Sequence, residues 1–560
     1  MSLASDLLGP SLVGRGRHMP ETEPILTAKR PPVPKVSPPA SIEHHKFEDY
    51  LASPYMQKLL KVLTRRNSRG RCYLEEVFES YDKLGTPAWD RLKFSLPHQL
   101  IELFRRRAGV DKQVLKAKVI HHHPTVRALV NTARSIAKYG LTVPQRFSAP
   151  LIVVWNYTQA CNLTCKHCYQ EAGHKPAPDE LPTELKLDLV DQMADEYVPF
   201  LAVAGGEPLV TKDIWKVLAH AKGRGVHTTV ATNGTLLSKE VCQRLVESGV
   251  KYVEVSLDSV VPEEHDRFRG MEGAWNRTVA GIRNAASTPG LRAGMAACLT
   301  RLNLHHAEAM LNLAKDLGCT TFVHFNFIPV GRGQEMVEMD ITPSERETLI
   351  RLLNHHLQEG KISIMSTAPQ FGRACILHGP ADGFMATAHA GKGKGKQAKV
   401  LSKYIGGCGA GRCYCSIQPN GKVTPCVYMS SVVVGDVRRQ KLIEAWENPC
   451  FDLLSNREDR SDHCVVCDFR AYCGGCRARA LSYTDDVQAG DPGCVYNQHV
   501  WDEVVRNAEQ KHELVALGLH DPVDSLLVGA SGGTVTTRVD QLVRDSLIQI
   551  VDLFDPTRRV

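Results

Sequence analysis

The sequence lacks a long apolar segment and a secretory start. No run of about 18 or more apolar residues occurs along the chain, so a membrane-spanning helix is not expected. Residues 1–16 lack the charged segment followed by an apolar stretch that marks a secretory signal. We therefore expect a cytoplasmic protein with no membrane span.

An excess of charge of one sign is also absent. The 68 Lys and Arg residues nearly balance the 61 Asp and Glu residues, and the net charge of +7 is small for 560 residues. Such a balance does not require a nucleic-acid partner, and we expect none. The apolar fraction of 43% is ordinary for a globular protein, and the length predicts two or three domains.

Cysteine is present, and its placement is uneven. Three of the 18 cysteines lie between Cys161 and Cys168, and ten lie between Cys408 and Cys494. Tight groups of cysteines in an intracellular chain indicate metal or redox sites, whereas a secreted disulfide scaffold spreads its cysteines through the fold. The isolated cysteines are expected to be small buried apolar side chains; they are Cys72, Cys242, Cys298, Cys319 and Cys375.

Composition and periodicity divide the chain into six segments. We expect a disordered Pro-rich arm (1–45), a helical N-terminal domain (46–147), a regular strand–helix region (148–340), a helical linker with a flexible Gly- and Lys-rich loop (341–405), a cysteine-rich domain (406–510) and a C-terminal tail with a short helix (511–560).

The strand–helix region predicts an α/β fold. Six apolar runs, from LIVVWNY at 151–157 to TFVHFNFIP at 321–329, alternate with amphipathic stretches. Parallel strands need such helical crossovers, and their buried cores read as apolar runs. The pattern predicts a parallel sheet curled into a partial (β/α)6 barrel, with its chemistry at the carboxyl ends of the strands.

The first cysteine group follows the first predicted strand. Cys161, Cys165 and Cys168 have the spacing C-x3-C-x2-C. Three thiolates can bind three corners of a 4Fe–4S cube, which leaves one iron open to a small molecule. A structural cluster would use a fourth thiolate, and a zinc site more naturally shows paired C-x2-C knuckles.

This loop, at this place in a barrel, resembles the signature of the radical S-adenosylmethionine (SAM) superfamily. The resemblance implies that the open iron chelates the amino and carboxylate groups of SAM. One electron then cleaves SAM to methionine and a 5′-deoxyadenosyl radical, which abstracts a hydrogen atom from the substrate. The three cysteines are therefore the expected catalytic residues, and the cofactor supplies the difficult chemistry.

Short motifs at later strand ends extend the resemblance. Gly205-Gly206-Glu207-Pro208 is similar to the family's GGEP motif, in which the glycines let the backbone approach the ligand. The Glu207 carboxylate is expected to accept bonds from the methionine ammonium group. Further SAM contacts are expected after strands three, four and six, at Asn233, Ser256, Asp258 and Val330.

The second cysteine group has the spacing of metal knuckles. On spacing alone, two zinc sites and iron–sulfur clusters both remain open. The order of the cysteines and Gly421 resembles the SPASM extension of radical SAM enzymes, which implies two auxiliary 4Fe–4S clusters. The expected metal ligands are Cys408, Cys413, Cys415, Cys426, Cys464, Cys467, Cys473, Cys476 and Cys494.

The resemblance also implies how these cysteines divide. The cluster nearer the active site would use Cys408, one of Cys413 and Cys415, Cys426 and Cys476. The outer cluster would use Cys464, Cys467, Cys473 and Cys494. Cys450 lies outside the pattern. Arg477 and Arg479 are candidates for tuning a cluster potential, although solvent-facing helix charges explain them equally well.

The resemblance gives a chemistry class and leaves the substrate open. The motifs look closest to enzymes of the alternative haem and haem d1 pathways, which act on propionate or acetate side chains of tetrapyrroles. A peptide or protein maturase, modification of a lipid or small metabolite, and a non-catalytic iron–sulfur carrier are the alternatives. The implied partners are a small-molecule or peptide substrate and an electron donor such as flavodoxin or ferredoxin.

Overall fold

The computed structural model describes residues 46–81, 88–107, 111–387 and 391–506. The predicted disordered arm at 1–45 and the tail at 511–560 lie outside these residues. Within the described ranges, no helix is long and apolar enough to cross a membrane.

The N-terminal region is helical, as predicted. Its helices pack onto the strand–helix region that follows: the Tyr197 hydroxyl accepts from Cys72 N at 2.7 Å and donates to Glu75 Oε2 at 2.6 Å. The helices are α1 Lys46–Ala52, α2 Pro54–Leu63, α3 Tyr73–Ser80, α4 Ala88–Arg107, α5 Lys112–Leu115 and α6 His123–Tyr139, with a π-turn at Lys116–Ile120.

All six predicted barrel strands are present. They are β1 Ile152–Asn156, β2 Phe200–Ala204, β3 His227–Thr232, β4 Tyr252–Ser256, β5 Arg292–Leu299 and β6 Thr321–Asn326. The crossover helices are α7 Thr183–Asp195, α8 Ile214–Gly223, α9 Lys239–Glu247, α10 Pro262–Arg269, α11 Ala274–Ser287 and α12 Ala307–Asp316.

Successive side chains of each strand point to opposite faces of the sheet, and the two faces differ. On β1, Val153 and Trp155 are buried in the core beneath the helices, whereas Ile152 and Val154 line a central cavity. The same division along the other strands leaves one face of the sheet to form the core and the other to enclose the candidate site.

The sheet is larger than predicted, with ten strands in the order β12-β11-β10-β1-β2-β3-β4-β5-β6-β7. Strand β7 (Ser363–Ser366) pairs parallel to β6, and β10 (Tyr414–Ile417) pairs parallel to β1. β11 (Lys422–Thr424) and β12 (Gly435–Asp436) follow antiparallel. The cysteine-rich domain therefore contributes strands to the barrel sheet.

The prediction of a flexible loop within 379–400 is wrong for the described residues of that segment. Strands β8 (Phe384–Thr387) and β9 (Gly391–Lys394) form an antiparallel hairpin. Helix α15 (Gly395–Ile405) follows at once, after α13 (Pro343–Glu359) and α14 (Gln370–His378). Backbone pairing between the two strands orders this segment, although its composition is typical of a linker.

The cysteine-rich domain adds short elements around its cysteines. They are α16 Leu442–Trp446, α17 Pro449–Ser455, α18 Asp462–Val466, α19 Arg477–Thr484 and a 3-10 turn at Val495–Asn497, with residues 498–506 helical. The first half of α19, residues 477–480, is buried.

Candidate active site

Both cysteine groups meet at one cavity. The inner face of the sheet encloses about 420 Å³, and Cys161, Cys165 and Cys168 lie in its wall. Three cysteines of the second group line the same cavity: Cys408, Cys426 and Cys476. The fold thus brings together two groups that are more than 200 residues apart in sequence.

The first cysteine loop is held by backbone bonds to the loop after β2. Gly206 N donates to Thr158 O at 2.7 Å, and Glu207 N donates to Ala160 O at 2.8 Å. A β-carbon at position 206 would lie 2.1 Å from Ala160 O. Only glycine permits this approach, so the Gly-Gly pair fixes the position of the cysteine loop.

N–H groups point at the sulfur atoms of this loop. Leu163 N lies 3.4 Å from Cys161 Sγ, and Ala172 N lies 3.4 Å from Cys168 Sγ. The Arg269 guanidinium donates to Cys165 Sγ at 3.7 Å. Donors of this kind favour the thiolate form of each cysteine.

Burial acts in the opposite direction on two of these thiols. Removal from water raises the pKa of Cys161 to about 12 and also raises the pKa of Cys165. These thiolates therefore need a bound cation to exist at neutral pH. Two buried cysteines and a half-buried third, with N–H donors at a cavity wall, fit an iron–sulfur cluster with one open iron.

The predicted SAM contacts divide into two sets. Gly205, Gly206, Asn233 and Ser256 line the cavity. The others lie outside its lining and hold the surrounding loops; they are Glu207, Pro208, Asp258 and Val330.

Glu207 differs from the expectation that it faces the ligand. Its carboxylate is fully buried and accepts from Leu209 N at 3.1 Å, Thr232 Oγ1 at 3.0 Å and Asn233 N at 2.8 Å. Burial raises the pKa of Glu207 to about 7 despite these donors. In this structure the side chain ties the β2 loop to the end of β3.

Arg269, which the sequence analysis did not identify, connects Asp258 to the cysteine loop. Asp258 Oδ2 accepts from Arg269 Nε at 2.6 Å, and its Oδ1 accepts from Cys298 N at 2.9 Å. Although burial opposes ionisation, Arg269 holds the pKa of Asp258 below its usual range. No local signal marks Arg269, because its partner Cys165 lies 104 residues away.

Aromatic side chains complete the cavity wall beside the cysteines. The His167 ring stacks on Phe268 with centroids 4.2 Å apart, and burial lowers the pKa of His167 to about 3, so the ring is neutral. Tyr169 packs against Tyr428 at 5.0 Å between centroids. Both pairs lie where bound molecules would contact them.

Glu254 is a second residue that the sequence analysis missed. It lies on the inner face of β4 between Tyr252 and Ser256, and its side chain lines the cavity. Burial alone raises its pKa to about 7. The signal in the sequence is one acidic residue, Glu254, within an otherwise apolar strand. Its neighbours Val253 and Val255 point to the opposite face of the sheet, beneath the helices, and are fully buried.

The outer group of cysteines surrounds a cavity of its own. Cys464, Cys467, Cys473 and Cys494 line it together. Gly475 N lies 3.4 Å from Cys473 Sγ, and Asn497 Nδ2 lies 3.3 Å from Cys464 Sγ. This grouping agrees with the division that the resemblance implied.

Cys413 and Cys415, the two candidates for one place in the inner group, have different surroundings. Cys415 pairs with Val153 across the sheet, so it faces the helices and is fully buried in the core. Cys413 precedes β10, and its Sγ lies 3.9 Å from the carbonyl oxygen of Gly409, the residue after Cys408. The structure therefore places Cys413 next to Cys408 and Cys415 in the core, although Cys413 itself does not line the cavity.

Arg477 and Arg479 are both fully buried, so the interpretation of solvent-facing charges is wrong. Arg479 pairs with Asp340 and donates to Asn326 Oδ1 at 2.8 Å. Arg477 Nη1 donates to the carbonyls of Val487 and Ala489 at 2.7 and 2.8 Å. These contacts hold α19 between the barrel and the cysteine-rich domain.

Two protein families match the regions that carry the cysteines. The Radical SAM superfamily matches residues 155–314, and the iron–sulfur cluster-binding SPASM domain matches residues 408–476. Together these families imply 4Fe–4S clusters and SAM as cofactors.

Named relatives cover the same part of the chain. AdoMet-dependent heme synthase of Methanosarcina barkeri is 33% identical over 353 residues, which are 62% of this chain and 97% of the relative. Pre-heme d1 synthase of Dinoroseobacter shibae is 29% identical over 61% of this chain and 85% of the relative. Mycofactocin maturase of Mycobacterium tuberculosis is 28% identical over 62% and 83%.

A solved structure shares the fold. Streptococcus suis SuiB bound to S-adenosylmethionine aligns with a TM-score of 0.54 at 16% identity, covering 76% of this chain and 93% of SuiB.

Proposed function

This chain belongs to the radical SAM superfamily and is an enzyme of that class, and we propose that it oxidises a side chain of a tetrapyrrole. The observation that carries the proposal is the 33% identity to a heme synthase along 97% of that relative. The pre-heme d1 synthase match supports the same substrate class. We place the reaction in the cytoplasm, with flavodoxin or ferredoxin as the electron donor.

We assign the cluster ligands by the grouping of the cysteines. Cys161, Cys165 and Cys168 hold the SAM-binding 4Fe–4S cluster. An inner auxiliary cluster is held by Cys408, Cys413, Cys426 and Cys476. An outer auxiliary cluster is held by Cys464, Cys467, Cys473 and Cys494.

A cluster held by Cys161, Cys165 and Cys168 would supply the electron for cleavage of SAM and, through it, radical chemistry for removal of hydrogen from the substrate. The residues of the chain position these groups. Arg269, anchored by Asp258, fixes Cys165, and the neutral His167 ring offers a flat surface held by Phe268. Gly205 and Gly206 hold the cysteine loop at the cavity wall, and Asn233 and Ser256 line the cavity where the methionine part of SAM would bind.

The cavity suits a substrate with an apolar body and acidic substituents. Apolar side chains of the inner face, such as Val154, Val323 and Phe325, form much of its wall. Burial raises the pKa of Glu254 to about 7, so a large fraction of this carboxyl is protonated near neutrality. A protonated carboxyl donates a hydrogen bond to a propionate without repelling it.

A peptide substrate is the second candidate. The 28% identity to a mycofactocin maturase favours it.

The test uses anaerobically reconstituted protein with dithionite, SAM and iron coproporphyrin III as the probe. We expect 5′-deoxyadenosine, a porphyrin that has lost mass from its propionates, and about 12 iron atoms per chain. A variant with Cys161, Cys165 and Cys168 replaced by Ala should keep about 8 iron atoms and form neither product.

The outcomes separate the alternatives. Deoxyadenosine without porphyrin modification would contradict the tetrapyrrole proposal and favour a peptide. Zinc in place of the auxiliary iron would contradict the assignment of auxiliary clusters. No cleavage of SAM by protein that holds its full iron content would contradict the enzymatic proposal.

A further inference from the structure

Four buried arginines around the second cysteine group have no acidic partner. Arg412, Arg457, Arg460 and Arg477 are 2%, 6%, 5% and 0% exposed. In the described part of the chain, no carboxylate oxygen lies within the 4.0 Å of an ion pair from any of them. Neighbouring buried arginines differ: Arg346 pairs with Asp340, and Arg373 pairs with Glu347.

Neutral groups accept hydrogen bonds from some of these guanidinium groups. Arg457 donates to the carbonyls of Arg470 at 2.6 Å and Gly406 at 2.8 Å. Arg460 donates to Leu454 O and Gln488 Oε1. Both terminal nitrogens of Arg412 are buried without a partner. Carbonyl oxygens accept hydrogen bonds but leave the positive charge uncompensated, and an uncompensated buried charge is costly.

The positions of these side chains show which groups would compensate their positive charge. Arg457 lies against the backbone on both sides of the domain: β-carbons at Gly407 and Gly474 would be 3.0 Å from its Nη2 and 2.8 Å from its Nε. Those glycines adjoin Cys408 of the inner group and Cys473 of the outer group. Arg457 interacts electrostatically with both thiols, and burial lowers its pKa only to about 9, so it stays cationic at neutral pH.

Arg460 lies near the inner group. It donates to Leu454 O, and a β-carbon at Gly411, which stands between Cys408 and Cys413 in the chain, would lie 3.1 Å from Leu454 Cβ. Arg412 adjoins Cys413 in the chain, and its Nε donates to Cys408 O at 3.4 Å. Repulsion among the arginines adds to the cost, since Arg412 and Arg477 lie near Arg457.

We propose that Arg412, Arg457, Arg460 and Arg477 form a buried cationic shell that compensates the charge of the auxiliary clusters and raises their reduction potentials. The inference rests on the proposed cysteine assignment. A 4Fe–4S cube held by four thiolates carries about two negative charges and gains one more on reduction. Nearby fixed cations therefore stabilise the reduced state more than the oxidised state.

The SAM-binding loop also has cations beside it. Arg269 is paired with Asp258 at 2.6 Å, whereas Arg332 donates to Cys165 O and Ala172 O, both at 2.9 Å. The cationic shell adds four arginines beside the cysteines of the second group. The four arginines are positioning residues, since they act through the clusters and not on the substrate.

The experiment is a redox titration followed by electron paramagnetic resonance. The background is the Cys161, Cys165 and Cys168 to Ala variant, which leaves only the auxiliary clusters. Arg457→Gln should lower their midpoint potential, raising the oxidised-to-reduced ratio at a fixed potential by roughly tenfold, or about 59 mV for one electron. Arg457→Lys keeps the charge and should restore most of the potential.

Arg439→Gln is the matched control, because Arg439 is an exposed arginine of the same domain. An unchanged potential in an iron-replete Arg457→Gln variant would overturn the proposal, as would an equal shift in the control. If Arg457→Gln fails to load iron, Arg460→Gln decides the question by the same criterion. The titration needs neither SAM nor substrate, so its failure is distinguishable from failure of the proposed function.

Discussion

At the residue scale, the candidate site depends on a few buried charges whose surroundings set their state. Asp258 stays ionised because Arg269 is adjacent, whereas burial without a cationic partner shifts Glu254 towards its neutral form. The same residue type would behave differently at the surface, where water stabilises the ion. Glu254 therefore gives the protein a pH response near neutrality.

Glu254→Gln should become more stable relative to the wild type as pH rises. Burial raises the pKa of Glu254 from 4.5 to about 7. The stability that the neutral carboxyl contributes is present below the unfolded pKa and is lost as pH rises through the folded pKa, at up to about 1.4 kcal/mol per pH unit. Gln cannot ionise, so it avoids this loss. Thermal unfolding between about pH 5 and pH 8 measures the difference.

Glu263→Gln, which changes an exposed glutamate on α10, is the control for this comparison. Its difference from the wild type should stay nearly constant over the same pH range. A Glu254→Gln difference that is equally constant would show that the carboxyl does not titrate in that range.

At the element scale, strand register decides which cysteines can act together. β10 pairs with β1 so that Tyr414 lies beside Ile152 and Cys415 beside Val153. Tyr414 and Ile152 both line the cavity, so the next pair along must face the helices. A shift of one residue would exchange the two faces and bring Cys415 to the cavity.

Cys413→Ala and Cys415→Ala should therefore differ, although the two positions are only two residues apart. Loss of Cys413 removes a ligand of the inner cluster, so we expect loss of up to about 4 iron atoms per chain and an altered inner-cluster resonance. Loss of Cys415 should leave a small cavity in the core and should not change the iron content per chain. Iron analysis and electron paramagnetic resonance of both variants check this, and iron loss in Cys415→Ala alone would reverse the assignment.

At the scale of the whole molecule, the ten-stranded sheet joins the barrel to the cysteine-rich domain. The buried arginines of that domain tie its stability to the clusters, because a bound metal site contributes to folding free energy. Removal of iron should leave these cations close together without the clusters that compensate their charge.

Chelation of iron should lower the thermal unfolding midpoint of the wild type. Arg457→Gln should change that midpoint in opposite directions in the iron-free and the iron-loaded protein. In the iron-free protein the substitution removes an uncompensated buried cation and should raise the midpoint. In the loaded protein it removes a partner of the clusters and should lower the midpoint. Scanning calorimetry at one scan rate measures both, and the same sign in both states would contradict the charge argument.

Local pattern was enough to predict the six barrel strands, the helical N-terminal region and the two cysteine groups. Apolar periodicity and cysteine spacing act over a few residues, so they are readable without the fold. The hairpin at β8 and β9 was missed because β9 (GKGK) is glycine-rich and carries no apolar signal, and its backbone pairing with β8 decides its structure.

The sequence by itself determined the chemistry class, because the C-x3-C-x2-C loop and the motifs at later strand ends resemble the radical SAM superfamily, and each of these motifs lies within a short segment. Only the tertiary structure separated Cys413 from Cys415, connected Arg269 to Cys165 and gathered around the second cysteine group four arginines that have no acidic partner among the described residues. These features depend on strand register and on contacts between residues far apart in the chain. Local spacing does not encode such contacts, because they form only when the whole sheet has closed around its cavity.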